Sequence, residues 1–156
     1  MLQAGDNAPE FELPDQNGDP VKLSNLKGQT VVLFFYPRAD TPGCTKQACG
    51  VRDRGDEYRK TGARVIGVSP DSVEDIRKFA EKYDLDFTLL ADADHAVADA
   101  YGTWGEKSMY GKKYFGVRRA TFLIDPEGQV AKVFPKVSPK THDDVVLEAL
   151  TDLAAV

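Results

Sequence analysis

The only two cysteines of the 156-residue chain, Cys44 and Cys49, lie five positions apart behind Thr41-Pro42-Gly43. Upstream, Val31-Val32-Leu33-Phe34-Phe35-Tyr36 is apolar throughout, as expected of a strand buried on both faces. Thr is a favoured helix N-cap, and Pro suits the first helical position, where its missing N–H costs nothing. The order reads as a buried strand delivering Cys44 to the first turn of a helix. Unpaired backbone N–H groups and the positive end of the helix dipole favour a thiolate there, and the thiolate is the nucleophilic form of cysteine. Arg119, which opens the apolar run Ala120–Ile124, is the candidate fixed cation, provided that a neighbouring strand carries it to the same sheet edge.

Helix geometry constrains the second cysteine. Five residues of helix rise about 7.5 Å and separate Cα atoms by roughly 8–9 Å. A disulfide needs Cα atoms within ~7 Å. Cys44 and Cys49 therefore cannot bond while both are helical, and at least a turn must unwind. Gly50 lowers the cost of unwinding by about 1 kcal/mol relative to alanine. The spacing suits a switch between a helical dithiol and a locally unfolded disulfide. A redox sensor could use the same switch without turnover, and a thiol–disulfide oxidoreductase is a further reading, although such enzymes usually carry CxxC.

Other segments must hold these residues in place. Phe11–Leu13 and Val21–Leu23 flank Asn17-Gly18 and predict an N-terminal hairpin. A strand is predicted over Thr30–Tyr36, then a helix from Thr41-Pro42 to about Lys60, stopped by Thr61-Gly62. A strand follows over Ala63–Ser69, and a helix over Ser72–Tyr83 with an apolar stripe at Val73, Ile76, Phe79, Ala80 and Tyr83. Phe87–Leu90 predicts a short strand, Ala96–Tyr101 a short helix, and residues 102–116 a loop bearing glycines and aromatics. Ala120–Ile124 and Gln129–Phe134 predict strands joined by the type I turn Asp125-Pro126-Glu127-Gly128. Val146, Leu150 and Leu153 mark the apolar face of a final helix. The expected fold is α/β: a central mixed β-sheet flanked by helices, with an N-terminal β-hairpin, in a single domain over residues 1–156. Such folds place active sites at the carboxyl ends of strands, where Cys44 lies relative to Val31–Tyr36.

A net charge of −5 and a pI near 5.0 argue against nucleic acid or an anionic membrane as partner, because those need a basic face. No segment approaches the ~20 apolar residues of a membrane span. Met1-Leu2-Gln3-Ala4-Gly5-Asp6 lacks the basic and apolar regions of a signal peptide, which predicts a cytoplasmic protein. In a reducing cytosol, two cysteines are more often free, catalytic or metal-bound than a permanent staple. Metal binding is poorly supported: His95 and His142 are remote from the cysteines and no CxxC pair exists. Both histidines read as solvent-facing or packing residues, Asp92-Ala93-Asp94-His95 as capping chemistry, and Arg52-Asp53-Arg54 as a solvated helix face.

The run from Tyr36-Pro37-Arg38 through Thr41-Pro42-Gly43-Cys44-Thr45 to Gln47-Ala48-Cys49 resembles the active-site segment of the peroxiredoxins, most of all the bacterioferritin comigratory protein (peroxiredoxin Q) subfamily. The resemblance spans nearly the whole chain. It takes in Gly5-Asp6-Asn7-Ala8-Pro9-Glu10-Phe11, Gly67-Val68-Ser69 with Asp71-Ser72, Phe79-Ala80, Tyr101-Gly102 and Arg119 through Gly128. It implies a thioredoxin-like fold and a thiol-dependent peroxidase acting on hydrogen peroxide and organic hydroperoxides in antioxidant defence. By the same resemblance Cys44 is the peroxidatic cysteine, Thr41 positions the peroxide and Pro37 shields the sulfur from water. Arg119 stabilises the thiolate and the leaving oxygen, and Cys49 is the resolving cysteine. Gln47 stands where some relatives carry Glu. The resemblance further implies recycling by thioredoxin or a similar dithiol, and no cofactor. An intrachain resolving cysteine needs no partner subunit, which predicts a monomer. Tyr101, Trp104, Tyr110, Tyr114 and Phe115 read as packing within their loop, or as an apolar approach for organic hydroperoxides.

Overall fold

The computed structural model describes residues 1–154. Glu12–Pro14 (β1) and Pro20–Lys22 (β2) pair antiparallel in the expected N-terminal hairpin. Val31–Phe35 (β3) is buried at every residue. It is followed by the helices Pro42–Asp53 (α1) and Gly55–Lys60 (α2). Next come the strand Arg64–Ser69 (β4), the helix Val73–Tyr83 (α3), the strand Thr88–Ala91 (β5) and the helix Ala96–Tyr101 (α4). Trp104–Met109 (β6), Lys112–Val117 (β7), Ala120–Ile124 (β8) and Val130–Phe134 (β9) precede the last helix, His142–Ala154 (α5).

The main sheet has the order β5-β4-β3-β8-β9. β3 pairs in parallel with β4 and antiparallel with β8, so the mixed sheet expected from the sequence is present. Its register decides the site. Phe35 stands opposite Ala120, which puts Arg119 level with the carboxyl end of β3, where the chain leaves for α1.

Alternation along β3 divides the core between the two faces of the sheet. Val32, Phe34 and Tyr36 pack with Cys44, Ala48 and Val51 of α1, Phe79 of α3 and Val146 and Leu150 of α5. Val31, Leu33 and Phe35 pack with Phe11, Leu23, Tyr101 and Phe122 on the other face. Burying a side chain of this size contributes about 1.5–3 kcal/mol. A strand apolar on both faces is thus anchored from both sides, and it holds the start of α1 rigidly. Among the described residues no helix is long and apolar enough to cross a membrane.

Three segments differ from expectation. The helix expected to continue to Lys60 breaks at Arg54, whose backbone (φ −104°, ψ 20°) is not helical. Gly55 is a weak helix former, and the break turns α2 so that Tyr58 is buried. Residues 102–116 are largely a second hairpin rather than a loop, with β6 and β7 joined by Tyr110-Gly111. Both turn residues are left-handed (φ 52° and 79°), the backbone of a two-residue type I′ turn. Tyr is a poor signal for that turn. On α5, Val146 and Leu150 are buried as expected, but Leu153 is exposed.

Candidate active site

The chain between β3 and α1 is fixed at several points. Tyr36 N–H extends the β3 ladder by donating to the Val68 carbonyl at 3.0 Å. Pro37 follows, half-buried. Ala39 N–H donates to Asp71 Oδ2 at 2.8 Å. Asp40 adopts a left-handed backbone (φ 59°), and its carboxylate accepts from Lys82 Nζ at 2.9 Å and from the Tyr83 hydroxyl at 2.8 Å. Two residues of α3 therefore clamp the approach to α1.

Thr41 is the N-cap by position, extended at φ −103° and ψ 156°, with Pro42 beginning the helix. Its hydroxyl does not make the expected cap bond. It donates instead to the Arg38 carbonyl at 2.8 Å, which leaves the first turn of α1 without a side-chain cap.

Cys44 lies in that turn, 2% exposed. Arg119 reaches it across the β3–β8 pairing: Nη2 is 3.3 Å from Cys44 Sγ, and Nη1 donates to Gln47 Oε1 at 2.6 Å. Gln47 is fully buried, and its Nε2 has no hydrogen-bond partner in the protein. The bond to Arg119 makes Gln47 part of the cluster in its own right, whereas the sequence marked it only by resemblance. Gly43 explains how the guanidinium fits, because a Cβ there would stand 3.1 Å from Arg119 Nη2. A hydrogen bond to a charged group contributes about 1.5–3 kcal/mol, against about 0.3–1 kcal/mol for a charge at a helix terminus. Arg119 is therefore the larger influence on a Cys44 thiolate, and the helix end the smaller.

Two neighbouring groups were not singled out from the sequence. Lys107, on β6, donates from Nζ to the Val117 carbonyl at 3.0 Å. Its ammonium is pushed below the usual lysine range, first by burial and next by the Arg119 charge, with the Cys44 sulfur acting the other way. No alternation of apolar residues over 102–116 marks the strand that presents it. The Tyr36 phenol is pushed far up by burial; the Ser69 hydroxyl opposes this, and the Asp71 carboxylate and Cys44 add to it. It stays neutral beside the sulfur.

Cys49 is half-buried in the same unbroken α1, and both thiols are free. Arg52-Asp53-Arg54 is more than a solvated face. Arg52 donates to the Tyr83 carbonyl, and Arg54 bridges Glu57 at 2.6 Å and Asp144 at 2.5 Å.

The remaining candidates lie elsewhere. His95 stacks on Trp104 with ring centroids 3.8 Å apart, and His142 is a buried packing residue. Asp92 accepts from the Val97 and Ala98 N–H groups, which is the capping role read for that cluster. Tyr101 is in the core on the sheet face opposite Cys44, whereas Tyr110 and Phe115 are exposed. These aromatics do not form one wall.

Comparison with known proteins agrees with this arrangement. Residues 4–133 match the AhpC/TSA family. The chain is 52% identical over 153 residues to peroxiredoxin Bcp of Escherichia coli (strain K12), covering 98% of each chain. It is 45% identical over 153 residues to peroxiredoxin Bcp of Bacillus subtilis (strain 168), again covering 98% of each. A solved structure of the Xanthomonas campestris bacterioferritin comigratory protein superposes with a TM-score of 0.90 at 37% identity, covering 97% of this chain and 99% of that one. A buried thiol at a helix start, an arginine brought to it by the neighbouring strand and full-length similarity converge on one assignment: the chain belongs to the AhpC/TSA family, among the peroxiredoxins of the bacterioferritin comigratory protein (peroxiredoxin Q) group.

Proposed function

We propose that this thiol-dependent peroxidase reduces hydrogen peroxide and organic hydroperoxides at Cys44, and that the observation carrying the reading is Arg119 Nη2 at 3.3 Å from the buried sulfur. The Cys44 thiolate attacks one peroxide oxygen. An S–O bond forms, the O–O bond breaks and the departing oxygen takes a proton, leaving a sulfenic acid and water or an alcohol. Arg119 and the first-turn N–H groups of α1 face the charge that develops on that oxygen. The Thr41 proton is already committed to the Arg38 carbonyl, so the hydroxyl oxygen is free to accept from the O–H of the incoming peroxide. Pro37 covers the approach to the sulfur. That the X. campestris relative is described for alkyl peroxide reduction supports including organic hydroperoxides among the substrates.

Resolution follows. α1 unwinds locally, the Cys49 thiol displaces the sulfenic oxygen as water, and an intrachain Cys44–Cys49 disulfide forms. Thioredoxin or a similar dithiol reduces it through a mixed disulfide. The working form is a cytoplasmic monomer of one domain, residues 1–156, that needs no cofactor. The test is peroxide consumption with thioredoxin as reductant. Sustained turnover, lost in Cys44→Ser and stalled after one equivalent in Cys49→Ser, supports the reading. A wild type that stalls after one equivalent with every dithiol supplied is a redox sensor, and one that reduces insulin but not peroxide is a thiol–disulfide oxidoreductase.

A further inference from the structure

A second buried polar cluster lies where α5 begins, and the chemistry at Cys44 does not use it. His142 Nε2 is 2.9 Å from Thr121 Oγ1 on β8, two residues past Arg119. His142 Nδ1 lies 3.3 Å from Asp143 Oδ1 without a hydrogen bond, and the same oxygen accepts from the Tyr58 hydroxyl at 2.5 Å. Burial first, and then the Asp143 charge, push the Tyr58 phenol far above its usual range, so it remains a proton donor to the carboxylate. The other carboxylate oxygen rests on α1. A Cβ added at Gly50 would lie 2.5 Å from Asp143 Oδ2, so the carboxylate occupies the space a side chain would need. Gly50 directly follows Cys49. Outside this cluster, Arg54, at the break between α1 and α2, bridges to Asp144 of α5 at 2.5 Å.

We infer that Asp143, held by the Tyr58 hydroxyl, is a positioning residue that clamps the Gly50 end of α1 in helical form and so sets how fast Cys49 can reach Cys44. The inference rests on the Cys44–Cys49 pairing proposed above. Two cysteines five residues apart cannot bond within a helix, so α1 must open before resolution. If the opening reaches Gly50, the backbone moves off the Asp143 carboxylate and pulls on α2, which the buried Tyr58–Asp143 hydrogen bond fixes to α5. The helix is thereby held closed at the resolving end, whereas the peroxidatic end depends on Arg119 and Gln47. Gly50 thus has two functions: it weakens the helix, and it admits the group that holds the helix shut.

Tyr58→Phe removes only the hydroxyl, and Asp143→Asn keeps the side-chain shape. Reduced wild type and both variants are given a pulse of hydrogen peroxide, quenched at intervals, and assayed by mass spectrometry for Cys44 sulfenic acid and for disulfide. The expected result is sulfenic acid formation within about twofold of wild type, with disulfide formation about five- to tenfold faster, the effect of losing one hydrogen bond of this kind. Amide hydrogen exchange over residues 48–53 of the reduced variants should accelerate by a similar factor. Disulfide formation at the wild-type rate in both variants overturns the inference while leaving the pairing intact. Equal changes in both steps also overturn it, because they mark general loosening of the fold. A wild type that forms no Cys44–Cys49 disulfide overturns the pairing and this inference together.

Discussion

Arg119 divides its guanidinium between Cys44 Sγ and Gln47 Oε1, and that fork makes demands which a point charge cannot meet. Arg119→Lys should slow the reaction of Cys44 with hydrogen peroxide by about 10- to 100-fold, the equivalent of one charged hydrogen bond, in stopped-flow measurements on the reduced protein. An unchanged rate would reassign Arg119 to a purely structural role. Gly43 gives a cleaner separation of activity from stability. Alanine there favours the helix but crowds Arg119 Nη2, which would lie 3.1 Å from its Cβ. Gly43→Ala should therefore lose about tenfold in peroxide reactivity while unfolding stability changes by less than about 1 kcal/mol. Equal loss in both would contradict this account. At this scale the types and spacing of Cys44 and Cys49 carry the argument, and Thr41 stands at the N-cap position read for it, although its hydroxyl bonds Arg38 instead of capping the helix. The sequence is silent on Lys107 because the mostly exposed hairpin that presents this residue has no apolar alternation to mark it.

Elements were legible in proportion to how much they bury. β3, β4 and β8 read directly from their apolar runs, since every residue of β3 and β8 is buried. The β6–β7 hairpin did not, because its outer residues, Met109, Tyr110, Tyr114 and Phe115, are exposed and show no alternation against a core. Its turn places Tyr110 at φ 52°, where Asn or Gly is ordinary. Tyr110→Asn should slow amide exchange across Lys107–Tyr114 by a few-fold while leaving global stability within about 0.5 kcal/mol. No change in exchange would indicate that tertiary contacts, not the turn, hold the hairpin. The break at Arg54 is only half legible: Gly55 weakens the helix there, but the contacts that turn α2 toward α5 are non-local. In the core, Phe34 is fully buried and packs its ring against Tyr36, Phe87 and His142. Phe34→Ala should cost about 3–5 kcal/mol in denaturant unfolding, and a loss below about 1 kcal/mol would mean that the sheet face relaxes around the cavity.

Across the whole molecule, the site is a product of sheet order. Cys44 and Arg119 are 75 residues apart in sequence, and they meet because β8 runs antiparallel beside β3 and delivers its first residues to the carboxyl end of that strand. Composition and periodicity predicted the layers but could not fix which strand lies next to β3, since that depends on long-range pairing. The family resemblance supplied the expectation, and the register Phe35–Ala120 gives its physical cause. The same architecture separates two demands. One face of the sheet holds Cys44 against β3 and α3, while α5 bears on the part of α1 that must open. The most direct test of the central claim is stopped-flow fluorescence of the single tryptophan, Trp104, when reduced protein meets hydrogen peroxide, alongside Cys44→Ser and Cys49→Ser. The account predicts a rapid phase that is absent from Cys44→Ser and retained in Cys49→Ser, which stops at the sulfenic acid. A wild type that reacts no faster than a free thiol would contradict it.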